Sequence, residues 1–163
     1  MKLVVTGHDA AGRSVFQHAG EPTRSAGPGS FDLWSTKGAP RVPDATPADA
    51  PASIGYFATA GETCFKIVTV PPAKERAARR GDAALPPELA RYFDPDDPEM
   101  HTTDTIDYVI VLGGVAELEL DDGRKERVEA GDCVVQRGTK HAWRVIGDAP
   151  LVLGATMIGA TRE

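Results

Sequence analysis

The sequence predicts an all-β fold, a sandwich or barrel of short antiparallel strands, on three observations. Strand-like runs recur about every ten residues through the C-terminal half. Gly- and Asp-containing turn signals separate them. No segment sustains the 3.6-residue apolar period of a long helix.

Taken in order, residues 2–6 and 13–18 are short strand candidates around a turn at 9–12, and 31–36 is a third. Residues 37–61, rich in Pro, Ala, Gly and Asp, read as a long surface connection. The run TCFKIVTV at 63–70 is a strand closed by Pro71-Pro72. Residues 73–99 are charged and Pro-rich, with a short helical turn expected through Glu88–Phe93. The segments 37–61 and 73–99 are candidates for a lid.

The β-branched run at 105–112 ends at Gly113-Gly114, and residues 115–120 alternate apolar with polar. Asp121-Asp122-Gly123 makes a hairpin turn into a return strand at 124–128. After Ala130-Gly131-Asp132, strands are expected at 133–136, 141–146 and 151–158.

Hydrophobic residues form 41% of the 163-residue chain and charged residues 26%, the balance of one globular domain. The net charge of −6 disfavours nucleic acid and anionic membranes, which need a basic face. With no apolar run near membrane-spanning length and no signal-like h-region, the chain reads as cytoplasmic. Cys64 and Cys133 lie within strand-like runs and are expected as buried free thiols. Gly7 to Ser14 imitates a phosphate-binding loop, but Pro22 interrupts the helix such a loop requires.

Strand alternation groups the chemistry. If His101 points inward, so do Thr103, Thr105, Asp107, Val109 and Val111. His141 opens a later strand, and Trp143 shares its face. Two imidazoles and one carboxylate can hold Fe(II), Mn, Ni or Zn with open positions for substrate. Two other readings stand beside this one. His101 and Asp107 can form a metal-free polar pair, and a His–Asp pair can serve as general acid and base. Arg137, Lys140 and Arg144 read as solvated surface, the alternative being a substrate carboxylate.

The run from His101 through Thr103 and Asp107 to Gly113-Gly114 resembles the first motif of the cupin family. In that motif two His one residue apart are followed four residues later by an acid, and then by a Gly. The run Gly131-Asp132 to Gln136, Gly138 and His141 resembles the second motif. The resemblance covers roughly residues 62–158. It implies a jelly-roll barrel there, with residues 1–61 as a strand-containing extension packed on it and 159–163 as a tail. It assigns the metal-ligand roles to His101, Asp107 and His141. Thr103 stands where the second His is usual, Asp107 where Glu is commoner, and Gln136 where Pro is expected.

The expectation is therefore one divalent ion and an enzyme acting on a small polar molecule, with Asp107 and His141 in the catalytic roles. Thr103, Gln136 and Trp143 line the substrate pocket. Dioxygenase, dehydratase, decarboxylase and isomerase chemistry all fit the family. The alternative is a metal-free pocket that binds a metabolite without catalysis. Ile106, Tyr108, Ile110 and Leu112 make the second face of their strand apolar as well. They are expected to pack on the N-terminal strands or to form a homodimer, which the resemblance favours.

Overall fold

The computed structural model describes residues 1–48, 55–79 and 87–163. These contain ten strands: β1 Leu3–His8, β2 Ser14–Gly20, β3 Phe31–Lys37, β4 Glu62–Val70, β5 Thr105–Gly113, β6 Val115–Glu119, β7 Lys125–Glu129, β8 Cys133–Arg137, β9 Ala142–Val145 and β10 Leu151–Gly159. Two short helices, α1 Ala73–Arg79 and α2 Pro87–Ala90, interrupt them. A five-stranded sheet runs β3-β4-β10-β5-β8, and a three-stranded sheet runs β7-β6-β9. Among the described residues, β1 and β2 pair as strands only with each other.

Period-2 alternation explains the core. Along β5 every second residue from Thr105 to Val111 is buried and the residues between are exposed. Val109 and Val111 of β5 meet Leu151, Leu153 and Ala155 of β10, and across the interior they meet Ala116, Val128 and Trp143 of the smaller sheet. Leu151 has no exposed surface. Burying a leucine fully contributes about 1.5–3 kcal/mol, so these residues hold the two sheets together.

Turn chemistry sets the register. Asp122 (φ 61°) and Gly123 (φ 68°) both occupy the left-handed region between β6 and the strand that returns beside it. This is the backbone a tight hairpin requires. Gly114, at φ 81°, has no room for a side chain: a Cβ there would stand 2.4 Å from the Pro150 carbonyl oxygen.

Residues 73–79, whose secondary structure the sequence left open, form helix α1, built from Ala, Lys, Glu and Arg, all strong helix formers. Two expectations need correction. Cys133 is exposed, because residues 133, 135 and 137 take the outward phase of β8; Cys64 is buried as expected. Ile106, Tyr108, Ile110 and Leu112 are not covered by the chain's own N-terminal strands and stay 37–53% exposed. Of the N-terminal strands, only β3 joins the main sheet, beside β4. No helix among the described residues is long and apolar enough to cross a membrane.

Candidate functional site

The site begins with main chain. His101 and His141, forty residues apart, form an antiparallel bridge in which each N–H donates to the other's carbonyl at 2.9 Å. That pairing sets both side chains on one face, with ring centroids 4.2 Å apart. The Nδ1 of His101 lies 3.1 Å from the Glu99 carbonyl, and the Nδ1 of His141 lies 2.9 Å from the Thr139 carbonyl. A carbonyl oxygen only accepts, so each Nδ1 carries the hydrogen and each Nε2 keeps its lone pair. Burial lowers the pKa of both rings. That of His141 falls to about 4, with neighbouring His101 adding to the effect of burial. Both imidazoles are therefore neutral at physiological pH.

Asp107 faces inward on β5, opposite Gln136 of β8 and Met157 of β10. Burial raises its carboxyl pKa, and a hydrogen bond from Thr105 partly offsets the rise. The Thr105 hydroxyl also lies 2.8 Å from that of Thr103. Asp107 Oδ1 and Gln136 Nε2 are both buried without a hydrogen-bond partner. Among the described residues, no three His, Cys, Asp or Glu side chains are grouped closely enough to hold one ion. The structure thus unites His101 with His141 and leaves Asp107 outside a three-donor set. Aspartate is one methylene shorter than glutamate, and Thr105 engages its carboxyl on its own strand.

Aromatic side chains cover the imidazoles. Phe57 stacks 6.3 Å from His101, Phe93 lies 5.2 Å from it, and Tyr92 meets Phe57 edge-on at 4.8 Å. Trp143 sits edge-on to His141 at 6.4 Å and also belongs to the main core. Thr103 and Gln136 are buried. Residues 55–58 and 92–93 fall in segments without periodicity, so nothing in the sequence marked Phe57, Tyr92 or Phe93. Lys66 was also missed. It faces inward on β4 and is neutralised by Asp32 at 2.7 Å.

Of the cations near His141, Arg137 is exposed as expected, while Lys140, 38% exposed, and Arg144, 23% exposed, are paired with carboxylates. Lys140 pairs with Asp94. Arg144 donates to Glu119 at 2.7 Å and to Glu99 at 3.0 Å, and it also pairs with Asp97. Arg76 of α1 reaches the same Glu99 carboxylate at 2.9 Å. The segment before His101 is thereby tied to the strand after His141.

This clamp has a pH signature. Hydrogen bonds from Arg144 and Lys140 hold the Asp97 and Asp94 carboxyls below their ordinary value. Such a carboxyl adds stability above its unfolded pKa, and that stability is lost as pH falls through the folded value. The Tm advantage of wild type over Arg144→Met is expected to be full above about pH 5 and to shrink below about pH 4. Thermal denaturation at constant ionic strength checks this; a gap independent of pH contradicts it.

Residues 93–158 match the family model described as "Cupin domain". Over 150 residues the chain is 29% identical to "Phomopsin biosynthesis cluster protein C'" of Diaporthe leptostromiformis, covering 86% of this chain and 68% of that protein. A shorter stretch of 53 residues is 47% identical to "Cupin-domain-containing oxidoreductase srdD" of Neurospora crassa, covering 32% and 27% of the two chains. Among solved structures, a "Cupin 2 conserved barrel domain protein" from Salinispora arenicola aligns at TM-score 0.41 with 17% identity, covering 77% of this chain and 75% of that one.

Proposed function

Since residues 93–158 are a cupin domain, we propose that the chain is an enzyme acting on a small polar organic molecule at the His101–His141 pair, with one divalent ion as cofactor. The observation that carries the proposal is the placement of both rings, each with its Nδ1 within hydrogen-bond distance of a backbone carbonyl. Each Nδ1–H faces a backbone carbonyl, which is the arrangement that orients a metal-binding imidazole and leaves Nε2 for the ion. The pair supplies two of the three protein donors that a two-His-one-carboxylate centre for Fe, Mn, Ni or Zn uses. When bound, such an ion supplies Lewis-acid polarisation of a substrate oxygen.

The chain's own groups do the rest. Phe57 and Phe93 exclude water from the imidazoles. Asp107, whose pKa is raised by burial, is a buried carboxyl that can hold or release a proton. Thr103 and Gln136 supply neutral polar contacts beside it. The names of the fungal relatives, which mention biosynthesis clusters and an oxidoreductase, agree with a role in small-molecule chemistry.

Metal analysis of protein purified without added metal tests the proposal. About one Fe, Mn, Ni or Zn per chain is expected. A second reading, a metal-free pocket that binds a metabolite, is favoured by the separation of Asp107 from the imidazoles. No metal in the purified protein, and none taken up from an equimolar mixture of these four ions, would decide for that reading.

The same reasoning extends to assembly: we propose a homodimer formed through the outer face of the five-stranded sheet. Phe65, Ile106, Tyr108, Ile110, Leu112 and Val135 are each 37–61% exposed on this face. All of these but Ile106 line one apolar groove across β4, β5, β8 and β10. Six large, half-exposed side chains present on the order of 500 Å² of apolar surface. A stable interface buries about 800 Å² per partner, about 65% of it apolar in homodimers, so the face has the area and composition a second copy needs.

A further inference from the structure

We infer that Arg144 is a positioning residue for His101, acting through the carbonyl of Glu99. The inference rests on the reading that the imidazole pair is the functional centre. The path is short and continuous. Arg144, on β9 three residues after His141, sends its Nε to Glu119 of the neighbouring strand β6, which fixes the guanidinium against the sheet. Its remaining nitrogens reach forward to Asp97 and to Glu99 Oε2. Within that turn the Met100 N–H donates to the Asp97 carbonyl at 2.8 Å and the Glu99 N–H donates to Asp97 Oδ1 at 3.2 Å. Two carboxylates two residues apart are therefore gripped by one planar cation, a task that suits the fork of guanidinium donors.

The gripped turn ends at the group that matters. The Nδ1 of His101 faces the Glu99 carbonyl, and among the described residues this is the hydrogen bond that specifies which ring nitrogen of His101 is free. Arg76 binds the same Glu99 carboxylate from α1 and donates to the Trp143 carbonyl at 3.2 Å, so the turn is held from two directions. His141 has no such dependence. Its Nδ1 bonds to Thr139, in its own turn, which Lys140 ties to Asp94 and which none of the carboxylates gripped by Arg144 touches. Releasing Arg144 should disturb one imidazole and leave the other as an internal reference.

The experiment reads the tautomers directly. Long-range ¹⁵N–¹H correlation spectra of the full chain, with chelator present and metal absent, are compared for wild type, Arg144→Met and Arg144→Lys. Wild type should show protonated Nδ1 and unprotonated Nε2 for both residues. In Arg144→Met, His101 is expected to shift toward the Nε2–H form that unconstrained imidazole prefers, while His141 is unchanged. Arg144→Lys, which keeps the charge but loses the fork, should lie between. A folded Arg144→Met chain in which His101 keeps the wild-type pattern overturns the inference.

If that variant does not fold, the double variant Asp97→Asn/Glu99→Gln releases the same turn from its other side, and the same two outcomes apply. Because no metal is present, the result is independent of the cofactor. Failure to bind metal would remove the proposed function without altering the tautomers, and an unchanged His101 would remove only the role of Arg144.

Discussion

His141→Ala is expected to abolish stoichiometric metal binding, with affinity for added cobalt(II) falling by at least about 100-fold. Altering a group that only orients a ligand already costs 10–100-fold, and this substitution removes one of the two imidazoles outright. What remains is a single ring, with Asp107 outside the donor cluster. The fold should survive, since the bonds between residues 101 and 141 run through the main chain and do not need the ring. Circular dichroism establishes that the variant is folded, and isothermal titration with cobalt(II) gives the affinity. A folded variant that binds one ion as tightly as wild type would place the metal elsewhere and remove the proposed centre. Added free imidazole, entering the space the side chain vacates, should restore part of the affinity.

Joint substitution of Tyr108 and Leu112 by glutamate is expected to turn a dimer into a monomer. Both residues lie on the outer face of β5 and are about half exposed. At about 25 cal/mol per Å², the apolar face of one copy represents on the order of 12 kcal/mol of gross association energy. Lost translational and rotational freedom costs about 4–15 kcal/mol, which two such faces together exceed. Placing two carboxylates at the centre of each face removes much of the apolar gain and adds charges that must be desolvated without partners. Light scattering after size-exclusion chromatography should give twice the chain mass for wild type at micromolar concentration, and the single-chain mass for the variant. A wild type that runs as one chain throughout this range rejects the dimer.

The sheet architecture was legible because strand alternation is a local signal. A single reading of phase from His101 correctly turned Thr103, Thr105, Asp107, Val109 and Val111 inward. Asp121-Asp122-Gly123 announced its hairpin through residues that tolerate left-handed backbone. The meeting of His101 with His141 followed from resemblance to a known motif, not from periodicity. The clamp was not legible. Lys140–Asp94 and Arg144–Glu99 join residues more than forty positions apart, and such ion pairs leave no pattern in a sequence rich in both signs of charge. Asp107 presents a finer difficulty. Its inward phase was predictable, but one methylene and a neighbouring threonine hydroxyl keep it out of the imidazole cluster, and neither effect is a matter of strand phase. Cys133 shows the cost of reading burial from strand membership alone, since only the phase of β8 distinguishes it from Cys64.

The self-contained pairing of β1 with β2 has a consequence for degradation. A protease cutting near Glu21 would detach a ribbon whose ladder bonds are all internal. The five-stranded sheet would lose none of its own, because its attachment to the preceding chain starts later, where Arg24 bonds to the carbonyls of Asp32 and Leu33. The first twenty residues are thus an appendage whose removal breaks no strand pairing of the domain behind it.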